Sequence, residues 1–288
     1  PLVEEVLEAA EGVGWDHLHI FQRDSHVPGQ AGFEPGCSML ADQIAALFVD
    51  QLTARGDRRA GQVNQVANRG ARVLDVMLIS PDQWSVGTHS VDSSARSWPG
   101  GVPPLPPVSQ VISRAYFKAA EAVWWSQLPI KAGEQVVEIG SSPGGACQFL
   151  LDQGLHVTGV DPAAMDPKLL EHPRFTHWRR RSPAVPRRWF RPFRWLLADA
   201  NVAPGYTLDT VEAIVSYPTN TRLVGLLLTL KLSDWDAAEN LPEYRDRVLQ
   251  WGYRQVHIRQ LAFNRQEVCL AAWDRQQMTS QGDSLTAR

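Results

Sequence analysis

Four short apolar runs constrain this chain most: QVVEIG from Gln135, HVTGVD from His156, WLLADA from Trp195 and LLLTLKL from Leu226, separated mostly by sequence of helical character. Runs that are apolar throughout suit strands covered on both faces, and strands alternating with helices argue for a doubly wound, mostly parallel sheet. A helix from Ser113 to Gln127 precedes the first run. A long helix from Asp236 to Trp251 leads into two closing strands, RQVHIRQL and EVCLAAW. Their short connection predicts an antiparallel pair. The fold class expected for residues 109–275 is therefore α/β, a Rossmann-like sheet with an antiparallel last strand.

Residues 1–98 read differently. A helix from Val3 to Ala10, a strand in WDHLHIFQRD, an amphipathic helix from Leu40 to Leu52 and a strand pair in VLDVMLIS and QWSVGTHSV predict a smaller α+β domain. Five prolines in WPGGVPPLPPVSQ predict an extended linker over 99–108. The polar tail 276–288 is expected to be disordered. The first residue is Pro rather than Met, which is compatible with a native beginning further upstream.

A hydrophobic content of 44% over 288 residues supplies a buried core. Cys37, Cys147 and Cys269 lack the spacing of a zinc site or a disulfide framework, so a reducing cytoplasm is the expected setting. No apolar run reaches the ~20 residues that span a bilayer, and no signal-like stretch opens the chain. Neither a membrane nor a metal is expected among its partners.

The most informative local segment is VVEIGSSPGGACQFLLDQG, a strand that passes through a glycine loop into a helix. Glycine permits a tight turn and close approach of backbone to a ligand, and the helix start offers unpaired N–H donors. The candidate cofactor residues are Glu138, Gly140, Ser142, Pro143, Gly144 and Gly145, with Asp161 at the end of the next strand placed to accept ribose hydroxyls. The glycines follow G-x-x-x-G-G rather than G-x-G-x-x-G, which favours S-adenosylmethionine (SAM) over a nicotinamide dinucleotide.

Lysine is scarce. Only Lys118, Lys131, Lys168 and Lys231 occur among 28 basic residues. Where bulk positive charge suffices this chain uses arginine, so a lysine points to a role that needs a group able to lose its proton. Lys231 ends an apolar strand at the sheet edge where open α/β folds bind ligands. Lys118 lies in the helix before the glycine loop, Asp199 ends the WLLAD strand, and Glu267 opens the last strand. Methylating a ribose 2′-hydroxyl needs a base and no metal. Lys231 is the candidate base, and Lys118 supplies a like charge that also steadies developing alkoxide. Asp199 orients Lys231 or the hydroxyl and also lies within reach of the cofactor, while Glu267 holds Lys118.

A third feature has two readings. Eight arginines between Arg174 and Arg194 are interleaved with Trp178, Trp189, Phe190, Phe193 and Trp195. The stretch is either an RNA surface, in which guanidinium groups meet phosphates and rings stack on bases, or a solvated loop whose aromatics turn into the core. On the first reading Arg179, Arg180, Arg181, Arg187 and Arg188 contact RNA, together with Arg114.

These motifs resemble the FtsJ-type (RrmJ-fold) RNA 2′-O-ribose methyltransferases, and within them the ribosomal RNA large-subunit methyltransferase M (RlmM-like) group. ISRAYFKAAEA is similar to the family's S-R-A/S-x-x-K-x-x-E-A opening, and EIGSSPGGA to its D-L-G-A-x-P-G-G-W loop. LLADA and LTLKL carry the Asp and the second Lys, and QLAFNRQEVCLAA resembles the R-Q-L-x-x-x-R-x-E-V ending. The resemblance spans about Trp98 to Trp273. It implies the catalytic set Lys118, Asp199, Lys231 and Glu267, SAM as cofactor, large-subunit (23S-type) ribosomal RNA as substrate before assembly is complete, and a THUMP-like RNA-binding identity for residues 1–98. Three positions depart from the pattern. Glu138 replaces Asp, Ala146 replaces Trp, and Arg181-Ser182 stands where the family places an acid that contacts adenine. The last departure keeps open an alternative, a catalytically degenerate RNA-binding or ribosome-assembly protein on the same fold.

Overall fold

The computed structural model describes residues 2–36, 38–106, 108–234 and 236–276. The chain divides into two compact units, Pro1–Pro106 and Pro107–Arg288. Cys37, Pro107 of the proline-rich stretch and the tail from residue 277 lie outside the described residues.

The first unit contains α1 (Leu2–Ala9), β1 (His17–Gln22), α2 (Met39–Ala54), β2 (Arg72–Ser80) and β3 (Gln83–Ser90). β1 pairs parallel with β2, and β2 pairs antiparallel with β3. Alternation sends Leu18, Ile20, Leu74, Val76 and Leu78 to one sheet face, where Val6 and Leu7 of α1 and Phe48 and Leu52 of α2 cover them. Ser38 starts α2 by accepting the Ala41 N–H at 3.2 Å. The proline-rich stretch does not run free from its start. Pro99–Gly101 forms a 3-10 turn in which Gly100 takes φ 62°, and a Cβ there would lie 3.0 Å from the Phe21 ring. That close approach keeps the turn within this unit.

The second unit contains α3 (Ala115–Ser126), β4 (Gln135–Ile139), α4 (Gly145–Asp152), β5 (His156–Val160), α5 (Pro167–Leu170), β6 (Phe175–Trp178), β7 (Trp195–Ala198), α6 (Pro204–Val215), β8 (Gly225–Lys231), α7 (Leu241–Gln250), β9 (Tyr253–Arg259) and β10 (Glu267–Arg275). Its seven strands follow the order β6-β5-β4-β7-β8-β10-β9. β4, β5, β6, β7 and β8 pair in parallel, and β10 runs antiparallel to both β8 and β9. This is a Rossmann-like sheet with one reversed strand inserted near the end. Val137, Leu196, Leu226 and Leu228 of the sheet pack with Leu208, Val211 and Ile214 of α6 in one cluster.

Two elements differ from the sequence reading. The long helix expected from Asp236 is a 3-10 turn, Asp236–Asn240, followed by α7, because Pro242 in the first turn of α7 has no N–H to donate back to that turn. β6 is an additional parallel strand, half-buried at the sheet edge, where FTHW lacks the apolar run of the central strands.

The topology positions the site. Asp161 and Asp199 stand one residue beyond β5 and β7, at the edge where the parallel strands end. Because β10 is reversed, its first residue, Glu267, reaches the same edge and stands opposite Lys231 in the ladder.

Candidate active site

Four elements bring four charged side chains to one point. Lys118 Nζ from α3 contacts Asp199 Oδ2 and lies 3.1 Å from Glu267 Oε1. Lys231 Nζ contacts Glu267 Oε2 and lies 3.5 Å from Asp199 Oδ1. The result is a ring of alternating sign in which each carboxylate touches both lysines. Glu267 therefore holds Lys231 as well as Lys118. Lys231 has the most open side chain of the four, 27% exposed against 7% for Glu267. Burial disfavours charge on Lys118, but Asp199 and Glu267 outweigh it and hold its pKa above the ordinary lysine value. Lys118 is thus a fixed cation at neutral pH.

Beside this ring the glycine loop leads into α4, whose first-turn N–H groups have no carbonyl before them in the helix. The glycines are required by chain packing. Gly140 takes φ 79°, and a Cβ on it would lie 2.7 Å from the Asp199 carbonyl oxygen and 2.9 Å from the Ala200 nitrogen. A Cβ on Gly145 would meet the Ser113 carbonyl at 2.7 Å and the Tyr116 nitrogen at 2.9 Å. Gly140 thereby joins the ends of β4 and β7, and Gly145 lets α3 and α4 touch. Ser142 Oγ donates to the Ala164 carbonyl at 2.7 Å, and the Asp166 N–H donates to the Pro143 carbonyl at 2.9 Å, tying the loop to the chain after β5.

Asp161 is held by the backbone around it. Its Oδ2 accepts the Ser142 N–H at 3.2 Å and its Oδ1 the Ala163 N–H at 2.8 Å. Each oxygen keeps a second lone pair for a ligand hydroxyl. The donor set fits SAM: helix-start N–H groups suit its carboxylate, Asp161 its ribose, and Asp199 its cationic groups, whereas Glu138 is turned into the interior.

Glu138 is buried at the end of β4, and Cys147 Sγ donates to its Oε2 at 2.8 Å. Burial pushes its pKa up to about 8, so the carboxyl is protonated at neutral pH. A carboxyl whose pKa is raised on folding binds a proton that the unfolded chain has released. Its contribution to stability is therefore full below the ordinary glutamate pKa and is lost as pH rises through about 8. Denaturant melts at stepped pH should show wild type losing stability between about pH 5 and pH 8 relative to Glu138→Gln, which stays neutral throughout. A constant difference across that window rejects the buried proton.

A small cavity of about 30 Å³, the size of one water, adjoins the ring, lined by Lys118 and Asp199 together with Ala115, Ala119, Glu138 and Ala146. The alanines at 115, 119 and 122 share one face of α3, a spacing from which the sequence could have indicated it. Cys147 gave no such signal, since only the fold places it against Glu138.

The arginine stretch divides. Phe190, Phe193 and Trp195 are core residues and cannot stack on a base, while Trp189 is 37% exposed with the Arg180 guanidinium 5.2 Å from its ring centre. Arg187 donates to the Ser182 carbonyl at 3.1 Å, Arg194 pairs with Glu134 at 2.8 Å, and Arg179 reaches the Pro162 carbonyl at 3.4 Å. Arg180, Arg181, Arg188 and Arg191 remain exposed. Arg114 is half-buried and donates to the Phe263 carbonyl at 3.2 Å. Among the described residues no cluster of His, Cys, Asp or Glu is arranged to hold a metal, and no helix is long and apolar enough to cross a membrane.

Residues 111–226 match the family model of the FtsJ-like methyltransferases. Among curated proteins, the chain is 34% identical over 151 residues to ribosomal RNA large subunit methyltransferase M of Xylella fastidiosa strain M12, covering 49% of this chain and 41% of that protein. The protein of the same description from Azotobacter vinelandii is 31% identical, covering 64% and 53%, and that from Hahella chejuensis is 25% identical, covering 94% and 68%. Residues 111–226 are thus similar to FtsJ-like methyltransferases, and the chain spans about half or less of the Xylella and Azotobacter relatives.

Proposed function

We propose that this protein is a SAM-dependent RNA 2′-O-ribose methyltransferase acting on large-subunit (23S-type) ribosomal RNA. The observation that carries the proposal is the four-membered charge ring beside a SAM-type loop. When bound, SAM supplies a methyl group on a cationic sulfur. Lys231 Nζ, the most exposed member, takes the proton of the 2′-hydroxyl. Lys118, held cationic by Asp199 and Glu267, faces the charge that develops on that oxygen. Asp199 and Glu267 fix the separation of the two lysines. The first unit serves as a divergent THUMP-like RNA-binding module. The reaction takes place in the cytoplasm before the particle is complete, since a nucleotide buried in the finished ribosome is out of reach.

Purified protein is expected to move labelled methyl from SAM to unmodified large-subunit RNA, with the label recovered in 2′-O-methyl nucleosides after digestion. Label recovered only in bases refutes the ribose assignment. The exposed arginines are the proposed phosphate contacts. Reversing Arg180, Arg181 and Arg188 to Glu should weaken RNA binding and reduce the slope of log K against log salt by about 2–3, close to one per lost phosphate contact. An unchanged slope returns them to a solvated surface.

One observation favours the second reading, a degenerate RNA-binding or assembly protein: after β6, Arg181-Ser182 stands where the resembling family carries an acid. Calorimetry separates the two, because that reading predicts no heat with millimolar SAM while RNA binding persists.

A further inference from the structure

Glu121 is a glutamate with no exposed surface in a helix of apolar neighbours, and the chemistry described above leaves it without a task. It lies one turn beyond Lys118 on the same face of α3. Both of its oxygens are engaged by one segment of backbone: the Ala262 N–H donates to Oε1 at 2.9 Å and the Phe263 N–H to Oε2 at 3.1 Å. These residues belong to the turn that joins β9 to β10 and delivers Glu267.

The same face of α3 grips that turn twice more. Arg114 donates to the Phe263 carbonyl at 3.2 Å, and the Phe117 and Phe263 rings pack with centroids 5.1 Å apart. Within the turn, the Asn264 N–H donates to the Leu261 carbonyl at 3.1 Å, and Asn264 Nδ2 donates to the Glu267 carbonyl at 3.2 Å. A chain of contacts thus runs from Glu121 through the turn to the backbone of Glu267, while Lys118 on the same helix face meets the Glu267 side chain.

Burying a carboxylate is costly, and an apolar side chain would hold a helix on a turn more cheaply. A carboxylate does what an apolar group cannot, fixing two successive N–H groups in distance and direction at once. We infer that Glu121 is a positioning residue: it sets the β9–β10 turn so that the Glu267 carboxylate spans Lys118 and Lys231. The inference rests on the methyltransferase reading for its rate effect and on geometry alone for its structural effect.

The test uses the whole chain with Glu121→Gln. The amide keeps the shape and one acceptor but turns an NH2 donor toward the second backbone N–H. If Glu121 positions Glu267, the variant keeps its SAM affinity, its kcat falls by roughly ten- to a hundredfold as for a small misplacement of reacting groups, and the pH profile of kcat moves. In the same variant the Ala262 and Phe263 amides lose hydrogen-exchange protection, and the carboxyl carbon shift of Glu267 changes. Wild-type kcat and pH profile together with an unchanged Glu267 shift overturn the inference. So does a variant whose SAM binding and melting temperature collapse together, because Glu121 then acts as a general core residue. An inactive wild type refutes the methyltransferase reading, and the Glu267 shift then decides the positioning role by itself. Glu121→Asp, one methylene short of the turn, should show the same changes in the same direction.

Discussion

Lys231→Ala is expected to lower kcat for methyl transfer by roughly 10²- to 10⁴-fold, the range in which a positioned base acts, while SAM affinity stays unchanged. The side chain is the most exposed of the ring, and the cofactor loop lies on other elements. Its removal leaves Asp199 and Glu267 bound to Lys118 alone, so the fold should survive. Lys231→Arg is the sharper test. Arginine preserves the charge and its contacts with both carboxylates but cannot release a proton in a protein. If Lys231 is the base, the arginine variant is as slow as the alanine variant. Near-normal turnover in the arginine variant shows that the position contributes only positive charge. Single-turnover kinetics with preformed SAM complex measures both without interference from RNA binding.

Gly140→Ala should be strongly damaging for a single added methyl group. The left-handed conformation at φ 79° costs a side chain about 1–2 kcal/mol, and forcing a Cβ against rigid neighbours adds about 1–3 kcal/mol. Those neighbours are the Asp199 carbonyl and the Ala200 backbone, so the chain cannot yield without moving Asp199. Denaturant unfolding should show a loss of about 2–5 kcal/mol, and methyl transfer should fall further than SAM binding because the ring is displaced. A variant of wild-type stability and activity would mean that the β4 and β7 ends are free to separate.

Much of this arrangement was legible in the sequence, for identifiable reasons. β4, β7 and β8 are largely buried, so most of their residues are apolar, with Glu138 and Thr229 as polar exceptions. Lys118 and Lys231 were conspicuous because the chain otherwise uses arginine, and their place on strand and helix followed from the alternation. β6 was illegible because an edge strand needs no apolar run, and the start of α7 was hidden in a polar stretch until Pro242. Asp161 illustrates a deeper limit. A strand-end acid announces itself, but that its oxygens accept the Ser142 and Ala163 N–H groups depends on how two loops meet. The aromatics among the arginines were ambiguous for a similar reason: Phe190, Phe193 and Trp195 read alike as base stackers or as core until their direction is known.

The reversed strand carries a consequence for how the protein is made. β10 is synthesised after β9 yet lies inside the sheet, between β8 and β9. A nascent chain that has released everything through β8 holds Lys118, Asp199 and Lys231, but exposes the bare edge of an apolar strand, Gly225–Lys231, which invites pairing with other chains. Closure of that edge and arrival of Glu267 are one event. Competence for the reaction and protection from aggregation are therefore gained together, and any truncation that removes β10 forfeits both.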